Sequence, residues 1–313
     1  MLFVTFHGGN PDKHKLRNNV HSYNKDGKLI TKSVLEETPG ILLDELRAMC
    51  LHGDLLYVVN ANHKHNSVLC YENKGKKYKL VSTFVSRASC MGILHPFDLT
   101  FDDAGFCYLS SQDTNVVTRL KVSKDGLTGT PAPVAPALAK SGTFLPGTFV
   151  ASSVGNLSTP NTTAVAGPIG LEFSAIGAKK HSVRGVLWAN GALYVVDQPA
   201  GRVKIYDSDG KLLGQSNEVK RPVHLQSHKG SLYVTARDGV LTAKIPKDAG
   251  DFMLAPMPGL KMKDASGLVF TGGGNLYLAN RTGNVINKFD RRLTPLEFGG
   301  ALPDNPEFLL HVK

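Results

Sequence analysis

No stretch of this 313-residue sequence approaches the run of about 18 apolar residues that a membrane-spanning helix needs, so no membrane partner is expected. A secretory leader is missing as well. Met1 is followed at once by Leu2-Phe3-Val4-Thr5-Phe6, a strand-like pattern in place of a basic segment and an apolar helix. The expected location is cytoplasmic, or secreted if a leader has been removed. Cysteine is scarce: Cys50, Cys70, Cys90 and Cys107 include no C-x-x-C pair and sit mostly in strand-like runs. They read as buried free thiols suited to a reducing compartment. There is no P-loop, dinucleotide fingerprint, nucleophile elbow or Cys/His zinc motif, which removes the enzyme classes built on them. Asn156, Asn161 and Asn280 begin glycosylation sequons, a weak signal without a leader.

Acidic residues are outnumbered, 26 against 36 Lys and Arg, for a net charge of +10. The densest basic run, Lys74-Gly75-Lys76-Lys77-Tyr78-Lys79, falls where a turn between the outer strands of a repeat is expected. A short basic turn is usually a solvated edge that blocks unwanted strand pairing, so nucleic acid is not the expected partner.

What the chain has in abundance is a repeated phrase. Leu-(Tyr/Phe)-(Val/Leu) recurs at Leu2-Phe3-Val4, Leu56-Tyr57-Val58, Cys107-Tyr108-Leu109, Leu193-Tyr194-Val195, Leu232-Tyr233-Val234 and Leu276-Tyr277-Leu278. A period near 40 residues with several short strands per unit is the sequence signature of propeller blades. Alternation and turn signals divide each repeat into four strands, A to D. In the third repeat these are 95–101, 106–111 and 116–122, followed by a Lys124-Asp125-Gly126 turn into D; in the fourth they are 183–188, 192–197, 202–206 and 211–214. The second, fifth and sixth repeats start near Arg47, Pro222 and Ser266. Residues 1–6 align with strand B, and the missing first A strand is supplied by 306–312, so both termini share one blade. The expected fold is a single-domain, all-β, six-bladed β-propeller closed by its ends. Residues 131–181 lengthen the connection between blades three and four. They are rich in Ala, Gly, Pro, Ser and Thr and read as a lid-like insertion, with a degenerate seventh blade as the alternative.

The phrase Pro-x-x-φ-x-φ, then Gly-x-Leu-Tyr-Val-x-(Asp/Asn), Arg-Val and Asp-x-x-Gly-Lys-Leu resembles the NHL-type repeat. It is similar also to the wider clan of six-bladed propellers with the SMP-30/gluconolactonase, virginiamycin B lyase and strictosidine synthase families. The resemblance implies an active site on the face where D–A and B–C connections emerge. His7, His14, His63, His65, His95, His181 and His224 fall on that face. By alignment Arg47, Asp98, Arg184, His224, Ser266 and Glu307 begin the A strands and line the channel.

Carboxylates there suit Ca²⁺ or Mg²⁺, and added imidazoles favour Zn²⁺ or Mn²⁺. Glu307, Asp98 and His224 are therefore the candidate catalytic acid/base groups or ligands of a divalent metal. Arg47, Arg184, His7, His63, His95, Asn280 and Arg237 are candidate contacts for a small anionic substrate. The resemblance to lactonases aligns Glu307 with a metal-binding Glu, whereas Arg184-Gly185, His224 and Ser266-Gly267 replace that family's Asn-Gly and Asp-Gly phrases. Resemblance to the lyase family assigns His224 and Glu307 to a metal-assisted pair, and resemblance to strictosidine synthases makes Glu307 the pocket Glu. The expected function is hydrolysis or elimination on a small molecule. The alternative is a non-catalytic NHL-like propeller binding a protein, glycan or nucleic acid.

Overall fold

The computed structural model describes residues 1–7, 18–61, 65–90, 92–113, 116–132, 148–150, 183–248 and 250–313. Among these there is no helix, and hence none long and apolar enough to cross a membrane. The strands form six sheets arranged as blades. Blade one contains β1 (Leu2–Phe6), β2 (His21–Tyr23) and β3 (Leu29–Thr31). Blade two is β4 (Leu46–His52), β5 (Leu55–Asn60), β6 (Ser67–Asn73) and β7 (Tyr78–Ser86). Blade three is β8 (Pro96–Phe101), β9 (Phe106–Ser111), β10 (Val116–Val122) and β11 (Gly129–Pro131), joined by β12 (Thr148–Val150). Blade four runs β13 (Val183–Ala189), β14 (Ala192–Asp197), β15 (Arg202–Tyr206) and β16 (Leu212–Gln215). Blade five has β17 (Leu225–His228), β18 (Ser231–Ala236), β19 (Gly239–Lys244) and β20 (Ala255–Pro256). Blade six has β21 (Ala265–Phe270), β22 (Leu276–Asn280), β23 (Val285–Phe289) and β24 (Pro295–Leu296). The last strand, β25 (Pro306–His311), returns to pair with β1 as the A strand of blade one.

The repeated phrase is explained by burial. B strands have a neighbouring blade against each face, so Leu56-Tyr57-Val58-Val59 and Leu193-Tyr194-Val195-Val196 read as continuous apolar runs and are buried throughout. Outer strands β3, β20 and β24 are mostly exposed. Blades are locked through side chains of that same phrase: the Tyr57 hydroxyl donates to the Gly126 carbonyl of blade three at 2.7 Å, and its ring lies tilted against Phe101 of that blade at 4.8 Å. The Asp/Asn turn residues are equally regular. One oxygen of Asn24, Asp102, Asp207 or Asp290 accepts two backbone N–H groups across its turn.

The expected terminal closure is present. The Met1 ammonium donates to the Val312 carbonyl at 2.7 Å, and the Val312 N–H donates to Met1 at 2.9 Å. The insertion starts differently from the expected connection. β11 pairs with Leu120–Val122, and Thr148–Val150 adds beside it along Val116–Thr118, so the outer edge of blade three is shared by two segments. The lid reading, and the strand-like piece at 169–173, lie outside the described residues. No seventh blade is present among the described residues. All four cysteines are free; Cys70, Cys90 and Cys107 are buried and Cys50 is partly so.

Candidate functional site

The channel is lined by a register irregularity repeated around the ring. Leu46 and Met49 pair with Asn60 and Val58, so three steps along the A strand face two along the B strand. The same bulge recurs at Pro96/Leu99, Val183/Val186, Ala265/Leu268 and Pro306/Leu309. In blades one, three and five the N–H of the bulge's second residue is satisfied by a B-strand hydroxyl. Phe308 donates to Thr5, Asp98 to Ser110 and His224 to Thr235. This puts two successive residues of each A strand toward the axis, in two layers. Arg47, Phe97, Arg184, Val223, Ser266 and Glu307 form the layer nearer the mouth. Ala48, Asp98, Gly185, His224, Gly267 and Phe308 form the deeper one. The six residues expected at one level therefore divide between two.

In the deeper layer His224 Nδ1 lies 3.3 Å from Asp98 Oδ2. Both groups are buried, and Asp98 is fixed by the Val186 N–H on Oδ2 at 3.1 Å and the Leu99 N–H on Oδ1 at 2.9 Å. Phe308 packs edge-on against both the imidazole and Phe97, each at 5.0 Å. Gly185 is required beside this pair: a Cβ there would stand 2.9 Å from His224 Cα and 3.0 Å from the Leu225 nitrogen. At Gly267 a Cβ would meet the Glu307 carbonyl at 2.8 Å.

The outer layer is dominated by arginine. Glu307, with 1% of its side chain exposed, forms ion pairs with Arg281, whose Nε lies 3.2 Å from Oε2, and with Arg47, whose Nη1 lies 3.6 Å from it. Burial alone would raise its pKa, but Arg281, Arg47, His7 and Arg184 outweigh it and hold the carboxyl below the usual value. Arg47 Nη2 also approaches His95 Nε2 at 3.3 Å and Glu45 at 3.9 Å, and His95 lies 3.5 Å from Glu45 and 3.4 Å from Asp113. Arg184 donates to the Gln112 side chain and lies over the Phe97 ring at 5.0 Å. Burial, opposed mainly by Glu307, lowers its pKa to about 10, which leaves it charged at neutral pH.

Burial, reinforced by Arg47 against the opposing pull of Glu307, lowers His7 from 6.5 to about 4; burial and Lys32 lower His21 likewise to about 4. Both imidazoles are thus neutral in the folded protein at pH 7. Between pH 6.5 and about 4 the unfolded chain takes up protons that the folded chain refuses. Stability is accordingly full above pH 6.5 and falls as pH drops toward 4, by about 3 kcal/mol at most per imidazole. The urea midpoint should decline over this window, and His21→Phe should flatten part of the decline. A midpoint constant from pH 7 to 5 would contradict this.

At the mouth, immediately before the A strands, stand Glu45, Arg221 and Asp264, which sequence reasoning missed, together with the candidate His95. Glu45, His95, Arg221 and Asp264 all adopt left-handed backbone, with φ of 49°, 52°, 51° and 54°. Such non-glycine conformations are uncommon and recur at functional positions. Opposite them stand the residues just past the B strands: His7, Ala61, Gln112, Gln198, Arg237 and Arg281. Backbone bonds tie the two rings, including His7 to Asn305 at 3.0 Å, Gln112 to His95 at 3.0 Å and Arg281 to Asp264 at 3.4 Å. Between blades five and six they border a cleft of 340 Å³ lined by Arg221, Val223, Arg237, Asp264, Arg281, Asn284 and Asn305 among others. A second hollow of 320 Å³, at blade two, is lined by His65, Asn66 and Arg87 among others.

Of the sequence candidates, Asp98 and His224 come together, as do Arg47, His95 and Glu307, and Arg237 lines the cleft. His7 is close enough to Glu307 and Arg47 to feel both charges. Asn280 ends β22 and accepts the Gly283 N–H at 3.0 Å, so it shapes a turn. His14, His63 and His181 lie outside the described residues. Asp98 and His224 lie in the deeper layer and Glu307 in the outer one. Glu307 has guanidinium partners there, and no group of three His, Cys, Asp or Glu among the described residues is placed to hold a metal ion.

No protein-family model matches the chain, and no curated protein does either. Solved structures share its fold. A candidate 6-phosphogluconolactonase from Bacteroides uniformis aligns over 95% of this chain and 80% of its own, with 13% identity and a TM-score of 0.59. A streptogramin B lyase aligns over 98% and 90%, at 12% identity and 0.55. A chain of a nidogen/laminin complex aligns over 98% and 96%, at 12% identity and 0.58. The chain is a six-bladed β-propeller whose structural neighbours include a streptogramin B lyase, a candidate 6-phosphogluconolactonase and a chain of a nidogen/laminin complex.

Proposed function

We propose that the protein is an enzyme that hydrolyses, or eliminates a group from, a small anionic molecule at the channel mouth. The observation that carries this reading is the Asp98–His224 pair on the channel axis. At 3.3 Å His224 Nδ1 is within reach of the carboxylate but makes no hydrogen bond in this structure; a small ring rotation that lets it donate to Asp98 would hold the proton on Nδ1 and leave Nε2 as the basic atom. A base there takes a proton from water for hydrolysis, or from carbon for elimination. Arg184, in the outer layer beside the pair, has a buried Nε without a hydrogen-bond partner, a donor suited to negative charge developing on substrate oxygen. Neighbours named for lactone and lyase chemistry support the choice of these two reaction types, while activity remains a property of the site and not of the fold. The test is a panel of lactones, esters and elimination substrates offered to the wild-type protein and to Asp98→Asn. Turnover that collapses in the variant supports the reading. Absence of turnover across the panel, or turnover indifferent to the substitution, replaces it with a non-catalytic binding propeller.

A further inference from the structure

The repeat supplies its own comparison at the mouth. The residue just past the B strand is His7, Ala61, Gln112 or Gln198 in blades one to four, and arginine in the adjacent blades five and six, at Arg237 and Arg281. Arg221, held in left-handed backbone at the entrance to blade five, adds a third guanidinium to the same cleft. Arg281 directs Nε to Glu307, but the side chains of Arg221 and Arg237 make no hydrogen bond or ion pair among the described residues, and both are exposed. The cleft's one carboxylate, Asp264, accepts from the Thr282 hydroxyl at 3.0 Å. With Arg281 paired to Glu307, Arg221 and Arg237 against Asp264 leave an excess of positive charge facing a cleft of 340 Å³.

Three like charges gathered from two blades repel one another, and an anion seated among them would relieve that repulsion. A carboxylate offers one planar fork, which a single arginine satisfies. A phosphate monoester offers three oxygens in a tetrahedron and a charge near −2, which suits three guanidiniums arriving from different directions.

We infer that the cleft between blades five and six is a phosphate-monoester subsite, gripped by Arg221, Arg237 and Arg281, with the rest of the molecule passing Val223 toward His224. This takes from the proposed function the mouth as a small-molecule site, but not its acid/base chemistry. The experiment is calorimetric titration of the full chain with inorganic phosphate at pH 7.5 and low ionic strength, beside succinate and acetate. Phosphate should bind best, and Arg221→Gln and Arg237→Gln should each weaken it about 10–100-fold with unchanged melting curves. Phosphate that fails to bind, binds no better than succinate, or is unaffected by both substitutions overturns the inference. His224→Gln should bind phosphate as the wild type does. Lost phosphate binding with intact His224-dependent turnover would fault the subsite alone, and retained binding without turnover would fault only the chemistry.

Discussion

Replacing His224 by glutamine should lower turnover of any substrate found by the panel about 10²–10⁴-fold, the usual contribution of a positioned general base. Glutamine keeps a polar group facing Asp98 but supplies no basic nitrogen. Asp98→Asn should lower kcat through a different route. With both carboxylate oxygens engaged, by Val186 and Leu99 backbone N–H groups, an amide nitrogen on one side loses an acceptor and no longer favours the Nδ1–H form of the imidazole. If His224→Gln retains more than about a tenth of wild-type kcat, the imidazole is not the base.

The largest effect on stability is expected at Glu307. Its carboxylate is the buried counter-charge for Arg47 and Arg281. Removing one member of a buried ionic group while its partners stay costs about 3–5 kcal/mol, because the remaining charges are left desolvated and unmatched. Glu307→Gln should lose that amount in urea unfolding, with an unchanged slope on denaturant. Arg47→Met in the same chain should restore part of it, since one stranded guanidinium is then gone. A loss below about 1 kcal/mol would mean that Glu45 and solvent already neutralise Arg47. Acidic pH adds a check on sign: Glu307 is held ionised below its ordinary range, so its contribution is present above that range and fades only as pH falls through its lowered value.

Most of the fold was legible because a B strand pressed on both faces by other blades can hold little but apolar residues. Leu-Tyr-Val therefore recurs wherever such a strand lies, and 306–312 betrayed itself as an A strand by the same logic. The channel was legible only in outline. Sequence alignment set Asp98 and His224 level with Arg47 and Glu307, but they are the second inward residue of their A strands where Arg47 and Glu307 are the first, and so lie one layer deeper. A bulge leaves no distinctive letter when its N–H is met by an ordinary Ser110, Thr235 or Thr5. Glu45, Arg221 and Asp264 escaped notice because left-handed backbone is looked for at Gly and Asn, and none of them is either. Arg281 was hidden inside a glycosylation sequon. Its comparison with Gln112 and Gln198 at the same repeat position was the signal that would have found it.

Met1 and Val312 exchange backbone hydrogen bonds across a separation of 311 residues, so the pairing that seals the ring is among the most distant in the chain. Contacts of that span are slow to form, because the whole chain must first be gathered before they are rewarded. Joining the two ends through a short linker and opening the chain at Gly75, in the exposed turn between β6 and β7, would turn this seal into a local hairpin contact. Every channel residue would keep its own strand and neighbour. The permuted chain would carry the same site with the distant seal moved to blade two, where β6 and β7 would then be paired from opposite ends, so its folding limb should not speed up.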